Sequence, residues 1–113
     1  MLTLLVDTLE ALGYPVYLQG TFAEDEEYPP SFITFFTLSS DDAAHYDNES
    51  VGTAWEYQVI FYSNDPRLVA TVPNEIRTAL KTAGFIPQGR GRDIPSDEPT
   101  HTGWAMEFYY LEV

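Results

Sequence analysis

Any chemistry in this chain would have to come from a small set of side chains. His45 and His101 are its two histidines, and there is no cysteine among its 113 residues. A protein metal centre needs three or four converging nitrogen, oxygen or sulfur ligands. Both histidines fall in polar stretches that read as loops, away from any helix or strand that would hold a spaced ligand set, so no metal site is expected. Ser96-Asp97-Glu98 and His101 place a hydroxyl, two acids and an imidazole close together in sequence. A hydrolase needs such groups converged in a rigid cleft beside an oxyanion hole, and clustering along one loop is not that geometry. Gln88-Gly89-Arg90-Gly91-Arg92 has the composition of a phosphate or RNA contact. A phosphate-cradling glycine loop, however, sits between a strand and a helix N-terminus, whereas this run lies between two expected strands. Glu24-Asp25-Glu26-Glu27 sets four carboxylates side by side. It lacks the alternating ligands and central glycine of a calcium loop and reads as a solvated loop. No catalytic residue, cofactor site or enzymatic activity is expected.

Charge is the stronger signal. The chain carries 18 acids against 5 bases, a formal net charge of -13. Long-range repulsion from nucleic acid and anionic lipid follows, so neither specific nucleic-acid binding nor membrane association is expected. The bases are segregated: residues 1–66 contain no Lys or Arg, and Arg67, Arg77, Lys81, Arg90 and Arg92 all lie in the second half. An acidic face on one subunit can therefore meet a basic patch on another. The candidate contact residues are those five bases with Glu24, Asp25, Glu26, Glu27, Asp41, Asp42, Tyr46 and Asp47. The N-terminal residues lack the basic region of a secretion signal, and no apolar run is long enough to span a membrane.

The elements that position these residues form one α+β domain over residues 1–113. Leu2, Leu5, Val6, Leu9 and Leu12 recur at helical spacing, predicting a helix over 3–12 with Thr3 as N-cap and Gly13 as its stop. A short strand is expected at 16–19. Residues 31–38, Ser-Phe-Ile-Thr-Phe-Phe-Thr-Leu, are apolar on both faces and predict a covered, central strand. Residues 39–52 read as a long polar loop. Thr53–Tyr62 is the strongest strand signal, with Trp55, Tyr57, Val59 and Phe61 on one face, and it is expected to pair antiparallel with 31–38.

Asp65 and Pro66 suit an N-cap and a first helical position. The helix then runs to Ala83 and stops at Gly84-Phe85. Pro73 interrupts its pattern, and the expected solution is a short turn at 66–70 before a fresh helix, with one kinked helix as the alternative. A strand at 85–88, extensible to 93, a loop at 94–101 and a last strand at 104–111 complete the order α-β-β-β-α-β-β. The expected architecture is an antiparallel sheet of four to five strands with both helices on one face. Tyr62, Tyr109 and Phe35 exceed what one core layer with Trp55, Phe61 and Phe108 can hold. The face away from the helices then needs either a partner or a cover of long loops.

This succession resembles the tail-terminator (tail-completion) proteins of long-tailed bacteriophages and prophages. The resemblance is carried by the helix ending at Gly13, by Trp55-Glu56-Tyr57-Gln58-Val59-Ile60-Phe61-Tyr62-Ser63, and by Asn74-Glu75-Ile76-Arg77-Thr78-Ala79-Leu80 with Gly84-Phe85. Asp97-Glu98-Pro99-Thr100-His101-Thr102-Gly103 before the last strand completes it. The acidic stretches at 24–27 and 41–49 match no part of that pattern. The resemblance implies a structural subunit without cofactor or reaction. Such a subunit acts in the host bacterial cytoplasm during assembly and then in the virion tail or neck. It caps the tail tube as a ring, commonly a hexamer, and meets the tail-tube and head–tail connector proteins. A head-side connector or stopper subunit, and an acidic DNA mimic that inhibits a host nucleic-acid enzyme, are the alternatives.

Overall fold

Strand β5 (Thr53–Ser63) lies at the centre of the molecule because both of its edges and both of its faces are occupied. The computed structural model describes residues 2–18, 29–42, 45–46, 49–50, 52–96 and 100–112. The other elements are α1 (Leu2–Glu10), β1 (Val16–Leu18), β2 (Ser31–Asp42), β3 (His45–Tyr46), β4 (Glu49–Ser50), α2 (Pro66–Thr82), β6 (Ile86–Pro95) and β7 (Thr102–Glu112). The five-stranded sheet has the order β1-β2-β5-β7-β6. Strand β5 pairs antiparallel with β2 on one side and β7 on the other.

The alternation seen in the sequence sets the two faces. Tyr57, Val59 and Phe61 are buried in one cluster with Ile33 and Phe35 of β2 and Met106 and Phe108 of β7. Leu5 and Leu9 of α1 and Val72, Ile76 and Leu80 of α2 close the same cluster, so both helices cover one face. Removing such large apolar side chains from water contributes about 1.5–3 kcal/mol each. Of the three surplus aromatics, Phe35 shares this layer, while Tyr62 and Tyr109 face the other way. There Phe32 is 1% exposed, stacked on Tyr62 at 5.1 Å and edge-on to Tyr17 at 6.2 Å. A second, smaller aromatic layer thus covers part of the far face.

Several expectations are corrected. The sheet is mixed, because β1 pairs parallel with β2. A parallel neighbour needs a crossover of about a dozen residues, which the stretch between Leu18 and Ser31 supplies. The stretch 39–52 is not all loop: β2 runs on to Asp42, and β3 and β4 form a separate two-stranded ladder with His45 opposite Ser50. The order is therefore α-β-β-β-β-β-α-β-β. A bulge between Thr37 and Ser39 shifts the register and lets the β2–β5 ladder continue. Helix α1 begins at Leu2, which puts Thr3 inside it.

Helix α2 is one continuous element with Pro73 inside it. The proline forfeits a hydrogen bond to the Val69 carbonyl, yet Val72, Pro73, Ile76 and Leu80 stay buried along one face. That burial carries the helix through the break. Asp65 caps its start as expected, its Oδ1 accepting from the Arg67 N–H at 2.9 Å. At its end the Phe85 N–H donates to Leu80 O at 2.9 Å and the Gly84 N–H to Lys81 O at 3.1 Å. These two bonds form the glycine stop that the sequence signals.

Strand β6 extends to Pro95, past the expected end, because a bulge absorbs its glycines. Gln88 faces Glu107 and Arg92 faces Ala105, leaving Gly89, Arg90 and Gly91 against a single step of β7. Gly91 has φ of 95°, and a Cβ there would collide with the Ala105 carbonyl and the Trp104 indole nitrogen. Gly89 also has positive φ, 73°, but faces open space. Gly91→Ala is therefore expected to destabilise by about 2 kcal/mol or more, and Gly89→Ala by about 1 kcal/mol. Chemical denaturation of the two variants measures the difference, and equal losses would contradict the close approach at Gly91.

Candidate interaction site

The bulge in β6 builds the candidate site by turning Arg90 toward α2. Val69, Ala70, Pro73, Asn74 and Arg77 of α2 face Arg90 and Trp104 across a groove of about 230 Å³. The groove continues toward the start of α2 into a wider part of about 600 Å³, where Pro66, Val69 and Ala70 face Asp93, Ile94, Pro95, Thr102 and Trp104. Trp104 lies along both parts. Its indole N–H donates to the Arg90 carbonyl at 2.8 Å, which fixes the ring and ties the bulge to β7.

Two of the predicted contact residues meet here. Arg77 is half-buried, and its Nε is buried with no hydrogen-bond partner among the described residues. Arg90 lies exposed at the same end of the groove. Among the described residues, neither guanidinium forms an ion pair. Arg92 goes elsewhere: it points to the far face and pairs with Glu107 at 3.6 Å. Arg67 is exposed in the first turn of α2 and Lys81 in its last turn. The five bases thus form no single patch.

The acids are placed less completely. Asp41 and Asp42 end β2, opposite Ala54 and Thr53, toward the other edge of the sheet from Arg90. Tyr46 lies in β3 opposite Glu49. Glu24, Asp25, Glu26, Glu27 and Asp47 lie outside the described residues.

The two histidines are not brought together into a centre. Among the described residues there is no group of three or more His, Cys, Asp or Glu able to hold a metal ion. His45 pairs through its backbone in β3. His101 lies outside helix and strand, as its polar neighbours suggest, but it is buried. Its Nε2 lies 2.9 Å from the Pro29 carbonyl and its Nδ1 3.0 Å from Thr100 Oγ1, and its ring lies against Phe32. With both ring nitrogens engaged, it fastens the approach to β7 onto the approach to β2. Ser96 lies within the described chain but Asp97 and Glu98 do not, so the Ser-Asp-Glu cluster has no described geometry.

The groove itself was missed in the sequence. Its signal was present: Pro66, Val69, Ala70, Pro73, Asn74 and Arg77 recur every three or four residues, a helix face beside the core stripe. No known protein-family profile matches the chain, and no curated protein matches it significantly. Among the described residues, no helix is long and apolar enough to cross a membrane.

The phenols of Tyr57 and Tyr109 are pushed up from the ordinary value of 10.0. Burial is the main cause at Tyr57, with the Glu112 carboxylate adding to it. At the exposed Tyr109, a hydrogen bond to Glu56 is the main cause, followed by that carboxylate's charge. The Tyr57 hydroxyl is buried without a hydrogen-bond partner among the described residues. Tyr57→Phe is therefore expected to stabilise the fold by about 1 kcal/mol at neutral pH, by deleting an unsatisfied group. The raised phenol value favours the folded state below pH 10, and this advantage is lost as pH rises through the folded value. Denaturation series from pH 8 to 11 should show a steeper alkaline loss for the wild type than for Tyr57→Phe. Parallel curves would refute the assignment.

Proposed function

We propose that this chain is a structural subunit of a bacteriophage tail, a tail terminator that closes the finished tail tube as a ring and forms the tail side of the head–tail junction. The observation that supports it is the placement of charge on a two-edged sheet. Arg77 and Arg90, without an ion pair among the described residues, lie by β6 at one edge, while Asp41 and Asp42 lie on β2 toward the other. Unlike charges on different surfaces of one subunit favour head-to-tail contacts, and such contacts close into rings when the rotation between copies allows. The net charge of -13 suits a ring through which DNA passes without adhering. The exposed apolar residues of the far face suit burial against a neighbouring protein. Ile86 is 55% exposed beside Tyr109, with Leu111 at 53% further along β7. In this reading the protein acts by contact and catalyses nothing.

Deleting the gene in an active phage tests the proposal. Electron microscopy is expected to show tails of irregular or excess length that fail to join filled heads. Normal tails on infectious particles would overturn it. Filled heads leaking DNA beside normal tails would instead indicate a head-side stopper. Capture of a basic host nuclease at low salt, with assembly unaffected, would indicate a DNA mimic.

A further inference from the structure

The groove between α2 and β7–β6 is apolar along most of its length and cationic at one end. In a chain with 18 acids, the simplest fate of a guanidinium is a carboxylate partner of its own. Arg92 has one in Glu107, whereas Arg77 and Arg90 have none among the described residues. The helix that forms one wall of the groove carries a backbone carbonyl without its usual donor. Pro73 has no N–H, so the Val69 carbonyl lacks its usual donor four residues on. Val69 and Pro73 both line the groove. The complementary ligand is an extended peptide segment with an apolar residue, free backbone N–H groups and a carboxylate a few residues further along.

The chain carries such a segment on its opposite edge. Strand β1 covers only Ile33–Phe35 of β2, so no described strand pairs with the outer edge of β2 from Phe36 to Asp42. Leu38 is pushed out at the β-bulge and is 39% exposed, and Asp41 and Asp42 follow it. Lengths agree. Leu38 to Asp41 spans about 10 Å of strand, and Ala70 to Arg77 about 10 Å of helix. Polarity agrees too, since Asp93 at the wide end of the groove repels a carboxylate there and leaves the Arg77–Arg90 end for it. Strands β5 and β7 stand between β2 and β6, so one chain cannot make this contact with itself.

We infer that the groove is the docking site for the outer edge of β2, residues Leu38–Asp42, of a second copy of this chain. Leu38 lies between Ala70 and Trp104, the end of β2 that carries Asp41 and Asp42 comes to the Arg77–Arg90 end of the groove, and a strand N–H donates to the Val69 carbonyl. The contact joins two different surfaces, so it propagates head to tail. This inference rests on the reading of the chain as an assembling subunit and specifies the contact by which it assembles.

The absence of cysteine makes the test direct. Ala70→Cys and Leu38→Cys proteins, mixed and treated with a short bis-maleimide, are expected to give a cross-linked dimer containing one of each. Adding Arg77→Gln and Arg90→Glu to the Ala70→Cys protein should abolish it. In sedimentation equilibrium, Arg90→Glu alone, on the exposed bulge, should weaken self-association at least about tenfold. Asp41→Lys with Asp42→Lys should weaken it similarly, and mixing these two reversed proteins should restore association. Circular dichroism confirms that each variant is folded, and Arg90→Glu alone suffices if the double variant is not. A wild type still monomeric at about 1 mM, association indifferent to Arg90→Glu, or cross-links only between identical variants would each overturn the inference. Failure here leaves the gene-deletion result standing, and normal tails in the deletion leave the groove contact standing.

Discussion

Burial of one face of β5 is the constraint on which the rest of the structure depends. Tyr57, Val59 and Phe61 are fully buried beneath Leu5, Leu9, Val72, Ile76 and Leu80. Two short helices must therefore lie side by side on this face, and the path of α2 is fixed at both ends. Ser63 Oγ bonds Ser31 Oγ at 2.9 Å and accepts the Asp65 N–H at 3.0 Å, so the chain turns sharply as β5 ends. The glycine stop at Gly84 then sends Phe85 into the core. A helix held this way runs back over β7 with one stripe in the core. Its neighbouring face, Val69, Pro73 and Arg77, overhangs β6 and forms one wall of the groove. The groove is a consequence of core packing combined with a proline that the core tolerates.

The two edges of the sheet are treated differently. Strand β6 carries Pro87 and Pro95, charged residues and a bulge, all features that discourage addition of another strand. The edge is thereby closed to backbone pairing, while the bulge redirects Arg90 toward the helix. The opposite edge is shielded by only three residues of β1, leaving the end of β2 open among the described residues. One edge is thus shaped as a side-chain groove and the other as an extended strand. Like edges have little reason to pair, and unlike edges have a reason to.

The sequence was most legible where a local rule coincided with burial. Alternation in Thr53–Tyr62 identified the strand and the residues that share one face of it, and Asp65-Pro66 and Gly84-Phe85 marked both ends of α2. The errors arose where long-range contacts decide. The parallel pairing of β1 depends on a crossover that no local pattern records. Pro73 argues for a break by intrinsic preference, and the apolar stripe through Val72, Ile76 and Leu80 overrides it. His101 sits among polar neighbours, and its burial against Phe32 depends on Pro29, distant in sequence. The segregation of bases was legible as a list, but its geometry was not. Arg90 and Arg92 are two residues apart, yet the bulge sends one to the groove and the other to Glu107 on the far face.

In the proposed assembly, a chain with charge -13 has to approach its own copies. At physiological salt, charges more than about 8 Å apart are largely screened, which weakens the general repulsion between subunits. Guanidinium–carboxylate pairs in direct contact, partly shielded by Pro73 and Trp104, are screened much less. The balance therefore turns on position. Encounters between acidic surfaces bring repulsion without compensation, whereas encounters that bring a carboxylate to a base, in the groove to Arg77 and Arg90, gain contact-range attraction. Five bases in 113 residues are then few enough to make association selective. Each additional surface base would relieve repulsion everywhere and reduce the advantage of the matched contact. In the proposed contact, the low count of bases and the absence of an ion pair at Arg77 and Arg90 among the described residues serve the same end.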